Sequence, residues 1–225
     1  MIPWVQLDVT KIPGGAETLR LMQRGTEFSI MLGTNELMNS RLSGSEEALA
    51  DLACGPFRNS QGARVLIGGL GMGFTLRAAL SVLPEDAAVV VGEIVPQIVK
   101  WARGPLAPVF RDCLHDLRVC IKEADVAQLI VAAAQHYDVI LLDVDNGPDG
   151  LVRSANDRLY SVAGLRAAHA ALKPGGVLAV WSAHPSEEFT RRLGRSGLLV
   201  AERQVRASSS GKGRRHTIWI ATKPG

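Results

Sequence analysis

The sequence has few cysteines, few aromatic residues and no long apolar run. Its three cysteines, Cys54, Cys113 and Cys120, show no C-x-x-C spacing, which argues against both a disulfide framework and a zinc cluster. The five histidines form no pair at metal-ligand spacing, so we expect no metal site. No apolar stretch approaches the roughly 18 residues of a membrane helix, and no low-complexity tract is present. These absences leave a soluble globular protein.

The first residues lack a basic stretch followed by a hydrophobic one, which is the order found in a signal peptide. We therefore expect a cytoplasmic protein with reduced thiols. The net charge of +3 is uneven, because nine Lys and Arg follow from Arg191 onward against the single acid Glu202. Such a basic segment can attract nucleic acid, but without interleaved aromatic residues it is more typical of a solvated edge hairpin.

From about residue 62, short β-branched runs alternate with helical stretches, which is typical of a doubly wound α/β sheet. The predicted strands are Arg64–Gly68, Ala88–Glu93, Arg118–Lys122, Tyr137–Asp143 and Val177–Trp181. The predicted helices are Thr75–Leu83, Gln97–Arg103, Val126–Gln135, Ser161–Leu172 and Glu187–Arg195. Five consecutive strand–helix units require a parallel sheet, and strands that are apolar throughout fit burial on both faces.

The two ends of the chain depart from this repeat. The runs Leu198–Val205 and His216–Ala221 predict an antiparallel C-terminal hairpin, as in the Rossmann-like, seven-stranded sheet of methyltransferases that use S-adenosylmethionine (AdoMet). Before residue 62 we predict a helix over Ser45–Cys54 with Ser45 as its N-cap. The predicted strands of this first part are Trp4–Val9, Thr18–Arg24 and Phe28–Leu32. We expect a small β-rich element over residues 1–60 and a Rossmann-like domain over residues 61–225.

A glycine-rich turn follows the first strand of the repeat. Gly69, Gly71 and Gly73 fall as G-x-G-x-G, whereas binding of a dinucleotide pyrophosphate requires G-x-G-x-x-G. The pattern favours close approach of the backbone to a ligand without a pyrophosphate. A tight strand-to-helix turn with no ligand remains the alternative.

Acidic residues follow the next two predicted strands. Glu93 comes twenty residues after Gly73, where an acid can accept hydrogen bonds from both ribose hydroxyls of an adenosine. Asp125 follows the third strand, where it can accept from the adenine amino group or cap the following helix. Together with the glycines, Glu93 and Asp125 predict a nucleoside pocket.

The fourth predicted strand ends in a polar loop, Asp143–Pro148. This loop lies outside the carboxyl end of a central strand, where open α/β sheets bind substrates. A carboxylate such as Asp143 can attract an ammonium group and take the proton that the nitrogen releases when it attacks an electrophilic carbon. Asp, Asn, Gly and Pro are also typical turn residues, so the alternative is that this segment only forms a turn.

These motifs resemble the spermidine synthase family, the polyamine aminopropyltransferases. The segments that carry the resemblance are Gly69–Arg77, Glu93, Asp125, Asp143–Pro148, Leu159–Ser161 and Leu172–Leu178. The resemblance implies decarboxylated AdoMet as co-substrate, with Glu93 on its ribose and Asp125 on its adenine. It also implies that Asp143 activates the attacking amine and that Tyr160 lines the amine pocket.

Three positions differ from the family. Met72 stands where the family has an aspartate in its glycine-rich loop, Asn146 replaces an acid of the strand-four loop, and Ser45-Glu46-Glu47 replaces a Tyr-His-Glu segment. Asp145 and Glu46 are candidates to supply the missing charges, and with Asn146 they form the predicted substrate site. Without an anion at Met72, AdoMet with its carboxylate can also be the donor.

The sequence therefore predicts an enzyme that transfers an aminopropyl group from decarboxylated AdoMet to a small amine, without a metal. One alternative is an AdoMet-dependent methyltransferase for a small molecule. A second is a module without catalysis that binds a nucleoside or, through residues 191–215, nucleic acid. The resemblance also makes a homodimer through the β-rich N-terminal part compatible with the sequence.

Overall fold

The computed structural model describes residues 2–14, 17–144, 147–148, 158–208 and 213–225, which contain two β-sheets. The first sheet has four antiparallel strands in sequential order. They are β1 (Val5–Lys11), β2 (Thr18–Arg24), β3 (Glu27–Leu32) and β4 (Asn35–Asn39). Alternate side chains of β2 and β3, such as Leu21 and Ile30, are fully buried, so one face of this sheet covers the core.

The second sheet has seven strands. They are β5 (Arg64–Gly68), β6 (Ala88–Gly92), β7 (Val119–Lys122), β8 (Tyr137–Leu142), β9 (Leu172–Ser182), β10 (Leu199–Arg206) and β11 (Arg215–Thr222). Their order is β10-β11-β9-β8-β5-β6-β7. Strands β5 to β9 are parallel, whereas β11 is antiparallel to β9 and to β10. The predicted fold class, a Rossmann-like seven-stranded sheet with an antiparallel C-terminal hairpin and a preceding β-rich element, is confirmed.

Seven described α-helices connect and cover the strands. They are α1 (Gly44–Cys54), α2 (Phe74–Val82), α3 (Pro96–Arg103), α4 (Ala107–Phe110), α5 (Val126–Val131), α6 (Val162–Ala171) and α7 (Glu187–Gly194), with short 3-10 turns at Gly55–Phe57 and Cys113–His115. None of the described helices is long and apolar enough to span a membrane.

Three details differ from the prediction. Strand β4 was missed because its polar sequence, Asn-Glu-Leu-Met-Asn, has little strand propensity, and it forms through its pairing with β3. Helix α5 ends at Val131 rather than Gln135, because the N–H groups of Gln135 and His136 donate to carbonyls at the end of α6 and lead the chain into β8. Strand β9 already begins at Leu172, which pairs with Tyr137.

The predicted N-cap of α1 is wrong. The cap position is Ser43, and Ser45 lies inside the helix with its side chain fully buried. A buried hydroxyl needs hydrogen-bond partners, and Ser45 finds them in Glu46 and His216 instead of in the helix backbone.

Contacts join the N-terminal part to the large sheet. Helix α1 packs against α2 and β9. In β1, the Asp8 carboxylate accepts hydrogen bonds from Gln97 at 2.6 Å and from the indole of Trp101 at 2.7 Å. The division into residues 1–60 and 61–225 stays a prediction.

Candidate active site

The carboxyl ends of the parallel strands form the edge at which the predicted site residues lie. Gly69 follows β5, Glu93 follows β6, Asp125 follows β7 and Asp143 follows β8. All four residues line one cavity, together with Gly71. The structure thus brings together five residues that are up to 74 positions apart in the chain, as the strand-end argument predicted.

The glycine-rich turn is tightly constrained by its surroundings. At Gly69, with φ of +90°, an added Cβ would lie 2.4 Å from the carbonyl oxygen of Asp143. At Gly73, with φ of +77°, it would lie 2.5 Å from the ring of Phe110. Gly73 faces Phe110 and does not line the cavity, so its predicted role in binding the nucleoside stays a prediction. Gly69 and Gly71 bring the backbone to the cavity wall.

Glu93 is a buried carboxylate at this edge of the sheet, 5% exposed. Its Oε2 accepts a hydrogen bond of 3.0 Å from the N–H of Leu70, and its Oε1 accepts one of 2.8 Å from the N–H of Val95. These bonds fix the glycine turn relative to the loop after β6. A carboxylate offers about four acceptor positions, so it can bind hydroxyl groups in the cavity as well.

Asp125 has a structural role at the cavity wall. Its Oδ1 accepts a hydrogen bond of 2.8 Å from the N–H of Ala127 and caps helix α5. The same residue lines the cavity. The helix-cap interpretation is therefore confirmed, while contact with an adenine stays a prediction.

Apolar side chains form most of the remaining wall. On the sheet side they are Ile94, Val95, Ile98 and Val126, and on the side of the small sheet they include Leu37 and Met38. The sulfur of Met38 would lie 3.2 Å from a Cβ added at Gly71, so β4 closes over the glycine turn. Such a wall suits a flat, apolar ring system whose few polar groups are bound by the strand-end residues.

Asp143 is partly buried and is bound by the first turn of α2. The hydroxyl of Thr75 donates a hydrogen bond of 2.6 Å to its Oδ2. Burial raises the pKa of Asp143 to about 6, against the opposing effect of the Thr75 hydrogen bond. A carboxylate with this pKa can accept a proton near neutral pH and release it again.

Glu46 is a second carboxylate close enough to interact with Asp143. Burial and, second, repulsion from Asp143 raise the pKa of Glu46 to about 7, against the opposing effect of the hydrogen bond from Ser45. Two carboxylates that repel each other in a partly buried site titrate as a pair, and the pair holds one proton more readily than none. A cationic group bound next to the pair would remove this repulsion.

The remaining predicted residues are placed differently. Tyr160 is buried in the core, 1% exposed, where its ring packs edge to face on Phe189. Its hydroxyl donates to the carbonyl oxygen of Val144 at 3.4 Å, and it does not line the cavity. Its role in the amine pocket stays a prediction. Asp145 and Asn146 lie outside the described residues.

Sequence reasoning missed the polar partners of the two carboxylates. Thr75, Ser45 and His216 contact Asp143 or Glu46 directly or through one hydroxyl. The sequence pointed to Thr75 only as a member of the segment Gly69–Arg77. Ser45 and His216 are separated by 171 positions, and no sequence signal connects them. Among the described residues, the buried indole N–H of Trp181, next to His216, has no hydrogen-bond acceptor.

The fold and the cavity define a Rossmann-like protein with a methyltransferase-type sheet. No protein-family model matches the chain. No curated protein sequence matches it either. Among the described residues, no group of three or more His, Cys, Asp or Glu side chains is arranged to hold a metal ion.

Solved structures with a similar fold do exist. A spermidine synthase crystallised with the transition-state analogue AdoDATO matches with a TM-score of 0.75 and 18% identity, over 97% of this chain and 72% of that one. The spermidine synthase from Thermotoga maritima matches with a TM-score of 0.74, 18% identity and the same coverage. A probable spermidine synthase from Corynebacterium glutamicum has a TM-score of 0.60 and 16% identity, over 96% and 79% of the two chains. The chain therefore has a spermidine synthase-like fold.

Proposed function

We propose that the chain is an enzyme that transfers an aminopropyl group from decarboxylated AdoMet to a small amine. The observation that carries this proposal is a pair of interacting carboxylates: Asp143, which lines the cavity with the glycine turn and Glu93, and Glu46, which does not line it. An acidic pair with raised pKa values suits a cationic amine substrate and the removal of its proton.

The donor fits the strand-end residues. Glu93 lines the cavity with a carboxylate that can accept from the two ribose hydroxyls. Asp125 also lines the cavity, and its proposed role is to accept from an adenine amino group. The apolar wall around Ile94 and Val126 suits the adenine ring. Support for this donor also comes from the similar spermidine synthase structure, which holds AdoDATO, a transition-state analogue.

The reaction requires the acceptor amine to lose a proton before it attacks. Asp143 binds the ammonium form and takes one proton, which leaves a lone pair on nitrogen. The nitrogen then forms a bond to the propyl carbon next to the sulfonium. The carbon–sulfur bond breaks at the same time, and its electron pair stays on sulfur in methylthioadenosine. Because the sulfonium is already a good leaving group, most of the rate enhancement comes from positioning.

A methyltransferase is the second candidate, and Met72 favours it. The resemblance places an aspartate at this position, but Met72 is an apolar side chain in the core, 3% exposed. Without that anion, the donor's carboxylate is not repelled there, and AdoMet can transfer its methyl group from the same sulfonium. A homodimer and a location in the cytoplasm stay predictions from the sequence.

The proposal is tested by supplying either donor with a panel of diamines and monoamines. Methylthioadenosine formed only from decarboxylated AdoMet and an amine supports aminopropyl transfer, whereas S-adenosylhomocysteine formed from AdoMet would establish methyl transfer instead. We expect Asp143→Asn to lower kcat at least about a hundredfold. Asp138→Asn is the control. Asp138 pairs with Lys173 at the opposite end of β8, away from the cavity, so this substitution should affect kcat little. Nucleoside binding with neither product would overturn both enzyme assignments.

A further inference from the structure

Two side chains, Ser45 and His216, extend from Glu46 of the carboxylate pair as one hydrogen-bonded chain. The Ser45 hydroxyl donates to Oε2 of Glu46 at 2.6 Å, and Nδ1 of His216 lies 2.8 Å from the same hydroxyl. Ser45 is fully buried, whereas Glu46 and His216 are each partly exposed. The Ser45 hydroxyl is therefore the buried link between a carboxylate and an imidazole.

The surrounding structure holds this chain in place. The N–H of Gly44, at the start of α1, donates to the carbonyl oxygen of Ala207 at 2.9 Å, which joins the helix to the C-terminal hairpin. The ring of Trp181 packs edge to face against His216, with centroids 4.8 Å apart. The Gly44 bond fixes the start of α1, and packing on Trp181 fixes His216. The hydrogen-bonded side chains are therefore in position before any substrate binds.

The proposed reaction leaves a proton inside the site, and this inference rests on that function. An amine that enters as an ammonium ion loses one proton to become the nucleophile, and the product nitrogen keeps its remaining protons. One proton is therefore released per turnover. It arrives on the pair formed by Asp143 and Glu46, from which it must reach water before the next ammonium ion binds.

We propose that Ser45 and His216 carry this proton from Glu46 towards water. When Glu46 is protonated, it donates to Ser45, and Ser45 donates to Nδ1 of His216. Transfer of one proton along each of these two hydrogen bonds leaves Glu46 ionised and His216 protonated on both ring nitrogens. Ser45 keeps its hydroxyl, and no heavy atom has to move. His216, which is partly exposed, then releases one ring proton to water.

Neighbouring charges favour the release of the proton from His216 to water. Glu46 faces Asp143 and Glu47, and burial followed by repulsion from these acids brings its pKa to about 7, into the range of an imidazole. His216 faces His184 and Arg214, and burial followed by repulsion from these cations lowers its pKa. Because Glu46 has the higher pKa, the proton occupies His216 only transiently, and an imidazole with a lowered pKa releases it readily to water near neutral pH.

The direct test is NMR titration of His216 in protein with nitrogen-15-labelled histidines, with the signal assigned from His216→Gln. Glu46 ionises near pH 7, and its hydrogen bond with Ser45 reverses there, so the Nδ1 signal of His216 should show a transition near pH 7 that Glu46→Gln abolishes. Ser45→Ala should also abolish it because it removes the hydroxyl. Glu47→Gln removes the same charge one residue along α1, and it should leave this transition in place. The same transitions of His216 in wild type and Glu46→Gln would refute the relay, and this readout does not depend on activity.

Kinetics provide the second test once a turnover assay exists. We expect Ser45→Ala and His216→Ala to lower kcat about tenfold, with the KM for the donor unchanged. Added imidazole should restore much of kcat in His216→Ala but not in Ser45→Ala, because free imidazole can replace the proton acceptor but not the buried hydroxyl. A His216→Ala enzyme with the wild-type kcat across the pH range would overturn the proposal.

Discussion

The hydroxyl of Thr75 donates a hydrogen bond of 2.6 Å to Oδ2 of Asp143. Thr75 lies in the first turn of α2, two residues after Gly73, and Asp143 directly follows β8. The glycine turn therefore positions the side chain that holds the proposed base, in addition to bringing the backbone to the cavity wall. Substitutions at this turn should therefore affect both the pKa of Asp143 and the binding of the proposed donor.

Replacing Thr75 with Val should raise the pKa of Asp143. A hydrogen bond to the ionised carboxylate favours the charged form, and Val removes it while keeping the shape of the side chain. The pKa of about 6 then moves upward, so the acidic limb of the activity profile moves to higher pH. Carbon-13 NMR of Asp143 measures the shift directly. Thr75→Ser keeps the hydroxyl and should titrate like wild type, and the same pKa in Thr75→Val would show that this hydrogen bond has no electrostatic effect.

The carboxylate pair should make the protein less stable as the pH rises. The folded-state pKa values of Glu46 and Asp143, about 7 and about 6, lie above their usual values. Their stabilising contribution is therefore complete below about pH 4 and is lost as the pH rises through about 6 to 7. Glu46→Gln removes the ionising group and the repulsion on Asp143, so at pH 8 it should be more stable than wild type by about 1 to 3 kcal/mol.

Urea unfolding at several pH values between about 5 and about 8 measures this effect. The stability difference between Glu46→Gln and wild type should grow with pH. Glu47→Gln, the neighbouring acid on α1, is the matched control and should show a much smaller pH-dependent difference. A constant difference for Glu46→Gln would mean that Glu46 has no raised pKa in the folded protein.

The large sheet and the strand-end residues could be predicted from the sequence because both depend on local patterns. Apolar runs such as Val139–Leu142 identify strands, and the residue after each strand lies at the same edge of a parallel sheet. Strand β4 and the Ser45–His216 contact could not be predicted. Each depends on contact between two segments whose own sequences do not indicate that they meet. Ser45 and His216 are 171 positions apart and come together only in the complete fold.

Donor binding should depend on the Glu93 carboxylate. Glu93→Gln replaces one acceptor oxygen with an amide that cannot accept, and at least one backbone bond to Leu70 or Val95 remains possible. We expect the affinity for decarboxylated AdoMet and for methylthioadenosine to fall at least about tenfold, since a charge-assisted hydrogen bond contributes about 1.5 to 3 kcal/mol. Calorimetric titration measures both ligands. Glu123→Gln, an exposed acid near the same edge, should bind like wild type, and an unchanged affinity in Glu93→Gln would remove Glu93 from the donor site.

Gly69 should tolerate a side chain far less than Gly62, another glycine with a positive φ. An alanine Cβ at Gly69 would lie 2.4 Å from the carbonyl oxygen of Asp143, whereas at Gly62, with φ of +61°, no atom lies within 4 Å. Gly62→Ala therefore carries only the cost of a left-handed residue, about 1 to 2 kcal/mol. Gly69→Ala must also displace the backbone at Asp143, so we expect it to cost at least about 2 kcal/mol more. Urea unfolding of the two variants compares these costs directly, and equal losses would show that the turn can move away from Asp143 without strain.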